Sequence, residues 1–122
     1  MIWGLVGTRH ARFSDFVTSP ATAIGYLGDV AQGRARRYLG HNPAGGLMIV
    51  ALLIALTGTC LTGYLMTMPG LWSAKWIEEV HEVAAHATLA LVGLHVLGVI
   101  VSSVLHNENL VRAMLTGRKR AE

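Results

Sequence analysis

Apolar and polar positions along this chain segregate into long blocks instead of alternating or recurring as an amphipathic stripe. Ala44 to Met68 (AGGLMIVALLIALTGTCLTGYLMTM) runs for 25 residues without Asp, Glu, Lys or Arg, more than the roughly 20 that an α-helix needs to cross the hydrocarbon of a bilayer. Val83 to Leu105 is a second such block of 23 residues, interrupted only by His86 and His95. The two blocks predict transmembrane helices over residues 44–68 and 77–106, the second extended at its start by a mixed turn and a half. A third apolar stretch, MIWGLVG at residues 1–7, is followed at once by Thr8, Arg9 and His10. With no basic residues before it and no small-residue cleavage site after it, it does not have the form of a signal peptide. Too short to span, it reads as the closing turns of a transmembrane helix that begins before this chain does.

Short elements fill the polar intervals. Ser19-Pro20 starts a helix through Gln32, because proline suits a first helical position, and this helix is expected to lie on the membrane. Asn42-Pro43 is a second start of the same kind, with Asn as N-cap directly ahead of the first span. Met68-Pro69-Gly70 closes that span. The connector Leu71 to Val80 then carries Trp72 and Trp76, residues that seat at a membrane interface. Residues 107–117 (NENLVRAMLTG) read as an amphipathic interfacial helix ended by Gly117 and followed by Arg118, Lys119 and Arg120. The fold class expected is all-α, a single integral membrane helical bundle domain over 1–122: the end of one helix, two full transmembrane helices and short interfacial helices.

Composition agrees with the pattern. Of 122 residues, 52% are hydrophobic and only 14% charged, against about a quarter charged in a soluble domain, and the mean hydropathy is +0.47. The net charge of +3 and pI near 9.5 do not point to nucleic acid, since the basic residues sit outside the apolar runs and no nucleic-acid motif accompanies them. They report topology instead. Arg9, Arg12, Arg34, Arg36 and Arg37 precede the first span, and Arg112, Arg118, Lys119 and Arg120 follow the second. Only Lys75 of the ten basic residues lies in the connector. By the positive-inside rule the long loop and the C-terminus face the cytoplasm, and the connector faces the periplasm or exterior. Cys60 is the single cysteine, so no intrachain disulfide or cysteine-based metal site is available.

Six histidines against seven carboxylates are the unusual feature. His81 and His95 are fourteen residues apart, which on an α-helix is about 21 Å along the axis and roughly 40° around it. They share a face at two depths. A neutral imidazole in hydrocarbon must satisfy its ring nitrogens, and metal ligation is a common solution. Two flat cofactors stacked across a bilayer, each taking one axial ligand from this helix, fit that spacing. Ala85, Thr88, Val92, Val99 and Ser102 on the same face are small or slim and are expected to leave room for a macrocycle. The plainer reading, a histidine hydrogen-bonded to a neighbouring helix, competes for either residue taken singly. His86 lies roughly 140° from His81 and about 180° from His95, so it reads as an inter-helix or lipid-facing residue. His106 returns to the histidine face at its cytoplasmic end, where it reads as interfacial and near a cofactor carboxylate. The row Ala51, Ala55, Thr59 and Gly63 forms a narrow ridge for close helix packing, and Cys60, Met66 and Met68 read as packing residues. The loop arginines read as anchors, with Arg9 a candidate for holding an acidic group of a cofactor or a quinone head group.

Three strings together resemble one family: WGLVGTRHARF at residues 3–13, YLGHNPAGG at 38–46, and VHEVAAHATLALVGLHVLGV at 80–99 continuing into HNENLVRAMLTGRKR at 106–120. The chain resembles the bacterial cytochrome b561 group, which includes the cytochrome b subunits of nickel hydrogenases. The resemblance covers nearly the whole chain. It implies a four-helix transmembrane bundle in the bacterial inner membrane with two b-type haems. It also implies electron transfer between the quinone pool and a periplasmic partner such as a cytochrome c or a hydrogenase subunit, without substrate bond chemistry of the chain's own. By that resemblance His81 and His95 are the iron ligands of the fourth helix, and His106 and Arg9 are cofactor-binding candidates. The opposite ligands of the family lie on the first and second helices, which this sequence is expected to lack. A separate chain, a longer form of this one, or a second copy would then supply them.

Two rival classes remain at this stage. A cofactor-free two-span membrane anchor predicts that His81→Ala and His95→Ala change nothing. A proton-relay component would use His86 and His95, but no carboxylate lies within the apolar blocks to pass a proton on. On the histidine inventory, the isolated 122-residue monomer is expected to bind fewer than two six-coordinate haems. Haem quantified per polypeptide checks this, and two such haems per monomer would contradict it.

Overall fold

The computed structural model describes residues 1–38, 40–107 and 109–116. Every regular element among them is helical. In chain order these are α1 (Ile2–Val6), a single 3-10 turn (Arg9–Ala11), α2 (Phe13–Phe16), α3 (Pro20–Ala31), α4 (Pro43–Leu65), α5 (Lys75–Leu105) and α6 (Leu110–Thr116). The backbone divides into two compact units. One comprises Met1–Met48 with the described residues from His95 onward, and the other Ile49–Leu94.

The long helices start and stop for identifiable reasons. The Asn42 side chain accepts from the Gly45 backbone N–H at 2.7 Å, satisfying one of the donors that a helix start leaves unpaired, and Pro43 occupies the first position, where no N–H is needed. The 23 residues of α4 then rise about 35 Å, enough to cross the hydrocarbon. The apolar block had suggested a helix to Met68, but α4 ends at Leu65. Thr67 N–H turns back to the Tyr64 carbonyl and Met68 N–H to that of Leu65, tightening the chain ahead of Pro69 and of Gly70, whose φ of +88° suits a residue without a Cβ. The 31 residues of α5 begin at Lys75, which lies 4.0 Å from Glu79 one turn on, and end at Leu105. Asn107 follows with φ +47°, a left-handed conformation that asparagine tolerates. α6 starts at Leu110 instead of Asn107, with the Asn109 side chain accepting from Arg112 N–H at 2.8 Å. The expected helix end at Gly117, the basic run Arg118 to Arg120, and Glu108 lie outside the described residues.

In the first unit the core is small and aromatic. Phe16 is buried, edge-on to Phe13 at 5.7 Å between ring centroids and 5.0 Å from the His41 ring. Its backbone carbonyl packs so closely on Gly46 that no Cβ fits there. Arg12 Nε donates to the Gly7 carbonyl at 2.8 Å, tying the turn after α1 to α2. On α3, capped by Ser19 through Thr22 N–H, Ala23 and Tyr26 face inward, and Tyr26 meets Tyr38 edge-on at 5.8 Å. Burial pushes the Tyr26 phenol up from its ordinary range and the neighbouring Tyr38 adds to this, while a hydrogen bond with Asn42 opposes it.

In the second unit α4 and α5 are joined by their threonines. Thr59 Oγ1 and Thr88 Oγ1 are 2.9 Å apart, and each also lies within hydrogen-bond reach of a carbonyl one turn back on its own helix, Ala55 at 2.9 Å and Ala84 at 2.8 Å. The apolar stretches of the two long helices are little covered: 6% of the most apolar 18-residue window of α4 is buried, and 0% of that of α5. Such surface, unlike the core helix of a soluble protein, requires lipid or further helices as its solvent. In a Thr59→Val, Thr88→Val double-mutant cycle measured by unfolding in bicelles, the expected coupling is about 0.6 kcal/mol, the average for polar pairs between membrane helices.

Candidate functional site

Half-buried positions on α5 form one stripe. In the second unit it runs through His81, Ala84, Ala85, Thr88 and Leu91, and in the first through His95, Val99, Ser102, Ser103 and His106. This is the 3.6-residue periodicity of one helix face, and it contains three of the four histidines from His81 onward. The fourth, His86, is exposed on another face, its Nδ1 2.9 Å from the Glu82 carbonyl of the preceding turn. A carbonyl can only accept, so the proton of that bond belongs to the imidazole.

His81 is held by α4. Its Nδ1 lies 2.9 Å from Thr62 Oγ1, and its Cε1 would come within 3.2 Å of a Cβ placed on Gly63. The absence of a side chain at Gly63 therefore gives the ring room beside α4. The Thr62 hydroxyl is itself directed at its own helix, 2.8 Å from the Gly58 carbonyl and 3.1 Å from that of Thr59. His95 is also half-buried, and its ring makes no hydrogen bond among the described residues. His106 is half-buried near the end of α5, where Ser103 Oγ accepts from Leu110 N–H at 3.4 Å and so links the end of α5 to α6.

The arginine candidate lies elsewhere in the first unit. Arg9 is largely exposed and 3.9 Å from Asp15, whose other carboxylate oxygen is 3.2 Å from His10 Nδ1. The local pair is loose and wet, which leaves the guanidinium free to meet a second anion. No group of three or more His, Cys, Asp or Glu that would bind a bare metal ion occurs among the described residues. A site on α5 would therefore draw on its histidines one at a time.

The residues on this helix fit the iron of a macrocycle. His81 already uses Nδ1, leaving Nε2 as the nitrogen open to a metal, and a partnered second nitrogen is the usual setting of a metal-ligating histidine. His95 presents an imidazole on an apolar helix with its nitrogens not taken by protein groups among the described residues, an arrangement that calls for a partner. The room expected beside Thr88 is not an open slot, however. The threonine seam draws α4 against α5 at that level, where Thr59 Oγ1 meets Thr88 Oγ1.

Thr62 was not singled out from the sequence. It is one residue off the small-residue row, and its pairing with His81 depends on the register between two helices. One signal existed: Thr59 with Thr88 and Thr62 with His81 share nearly the same midpoint, in the connector around Trp72, as an antiparallel hairpin requires.

The family model described as prokaryotic cytochrome b561 matches residues 1–117. No curated protein and no solved structure matches the chain.

Gly58 and Gly63 separate the ring contact from general helix effects. Nothing lies within 4 Å of a Cβ at Gly58, so Gly58→Ala is expected to hold or raise thermal stability through helix propensity. Gly63→Ala gains the same propensity but crowds His81, and is expected to be less stable than Gly58→Ala by about 1 kcal/mol or more. Thermal unfolding followed by circular dichroism in detergent compares the two.

Proposed function

The chain belongs to the prokaryotic cytochrome b561 family, and on that premise we propose that His81 and His95 each hold the iron of a b-type haem, the two haems forming a path for electrons between the two membrane faces. Membership makes the chain an integral membrane protein of the helical-bundle class, acting in electron transport as a cytochrome b. What carries the finer reading is one observation. On an uninterrupted apolar helix, two half-buried histidines share a stripe at a spacing of about 21 Å, and the first has its Nδ1 engaged by Thr62.

Haem b, when bound, supplies a one-electron iron couple whose potential is set by axial ligation, burial and hydrogen bonding. The chain's own residues fix where that couple sits. Thr62 and Gly63 set the plane of the His81 ring, while the bare apolar surface of α5 keeps water from the site. His106, at the end of the same stripe, and Arg9, an exposed cation, are the groups proposed to receive the acidic edge of a cofactor or a quinone head group. Further helices, or a second copy of this chain, would supply the other residues that hold each haem. Nine of the ten basic residues flank the spans on one side, which supports a cytoplasmic long loop and C-terminus and a periplasmic connector. Electrons then pass between the quinone pool and a periplasmic partner, a cytochrome c or a hydrogenase subunit, that docks on the connector side near Trp72 and Trp76.

His81→Ala and His95→Ala, purified from membranes and compared by reduced-minus-oxidised absorbance, are each expected to remove one b-type component and leave the other. Unchanged spectra in both variants would contradict the assignment and favour an anchor without a cofactor.

A further inference from the structure

Hydrogen-bond geometry around Thr62 bears on how His81 performs its role, and this inference rests on the reading of His81 as an iron ligand. Thr62 Oγ1 has one proton and three neighbours: the Gly58 carbonyl at 2.8 Å, the Thr59 carbonyl at 3.1 Å and His81 Nδ1 at 2.9 Å. Both carbonyls can only accept, whereas the imidazole nitrogen donates or accepts according to tautomer. If the hydroxyl donates to His81, it forms one bond, and the imidazole proton sits on Nε2 with no hydrogen-bond partner among the described residues. If it donates to Gly58, the imidazole must carry its proton on Nδ1 and donate to Thr62. Two bonds then form, and Nε2 presents a bare lone pair instead of an unpaired N–H. The second arrangement makes one more hydrogen bond from the same groups and leaves no donor of the pair unused, so it prevails.

We propose that Thr62 is a positioning residue for haem ligation. It locks His81 in the Nδ1–H tautomer and relays that proton's hydrogen bond to the Gly58 carbonyl, so that Nε2 is held ready for iron before any haem arrives. The same bond makes Nε2 a stronger electron donor, because a donor N–H engaged by an acceptor raises ligand basicity. A more basic ligand favours the ferric state. Thr62 therefore holds the potential of the haem on His81 below what an unengaged imidazole would give. Gly63 complements it, since a Cβ there would stand 3.2 Å from His81 Cε1 and press on the ring that Thr62 holds. His95 makes no comparable bond among the described residues, so the lock is a property of one haem position and helps set the two potentials apart.

The test uses the full chain with Thr62→Val, nearly the same shape without the hydroxyl, and Thr62→Ser, which restores it. In haem-free protein with 15N-labelled histidine in lipid nanodiscs, His81 is assigned by the signal lost in His81→Ala. Wild type and Thr62→Ser are expected to show the bare nitrogen at Nε2, and Thr62→Val a mixture of tautomers. In haem-loaded protein, redox titration is expected to move the component lost in His81→Ala to more positive potential in Thr62→Val and back in Thr62→Ser, with the His95-dependent component unmoved. A bare Nδ1 in wild type, or a Thr62→Val protein with the wild-type tautomer and potential, would overturn the proposal. An Nε2 lone pair that depends on Thr62, in a chain whose haem content is indifferent to His81→Ala, would overturn the ligand reading while leaving the tautomer lock in place. A folding defect alone would lower both haem components together and would not be rescued selectively at one potential.

Discussion

An imidazole carried into hydrocarbon has two ring nitrogens and no water to satisfy them, and most of what is specific about this chain follows from how those nitrogens are served. At His81 one is met by Thr62, which hands the bond on to the backbone of its own helix. The other nitrogen is left as a lone pair, at the head of a run from Val83 to Leu105 that carries no Asp, Glu, Lys or Arg. Elsewhere the same constraint takes a different form: His86 returns its proton to the carbonyl of Glu82, and Thr59 and Thr88 each reach a carbonyl of their own turn while meeting one another. Thr59, Thr62, His86 and Thr88 are each directed at a backbone carbonyl of their own helix, the economy expected where unsatisfied groups cost several kcal/mol.

That economy also explains how the second unit holds together. Between apolar helices in lipid there is little hydrophobic gain, so association rests on close packing and a few hydrogen bonds. Gly63 and the threonines provide both. Because the seam lies on the histidine stripe, the contacts that join α4 and α5 are also those that orient His81, and stability and ligand geometry are coupled in one place.

Much of the architecture was legible in the sequence because it depends on composition and local chemistry. The two uncharged blocks located the spans, Asn42-Pro43 and Ser19-Pro20 located the helix starts, and the fourteen-residue interval put His81 and His95 on one face. Helix ends were read less well. Met66 to Met68 are apolar enough to continue α4, but Pro69 and the positive φ at Gly70 turn the chain before them, and Asn107 takes a left-handed conformation that delays α6 to Leu110. Thr62 stayed hidden for a different reason. Its role arises from inter-helix register, which no pattern within one helix encodes, and the same register filled the space beside Thr88 that small side chains had suggested was open.

The central claim is that imidazoles of α5 ligate haem iron in the membrane. Low-temperature electron paramagnetic resonance of the oxidised, membrane-purified protein tests it most directly, because it reports the ligand field at iron. With the second copy or further helices that complete each site present, low-spin ferric haem with two imidazole nitrogens as axial ligands is expected. A folded, lipid-embedded protein that gives no haem signal, or only a high-spin one insensitive to His81 and His95, would contradict it.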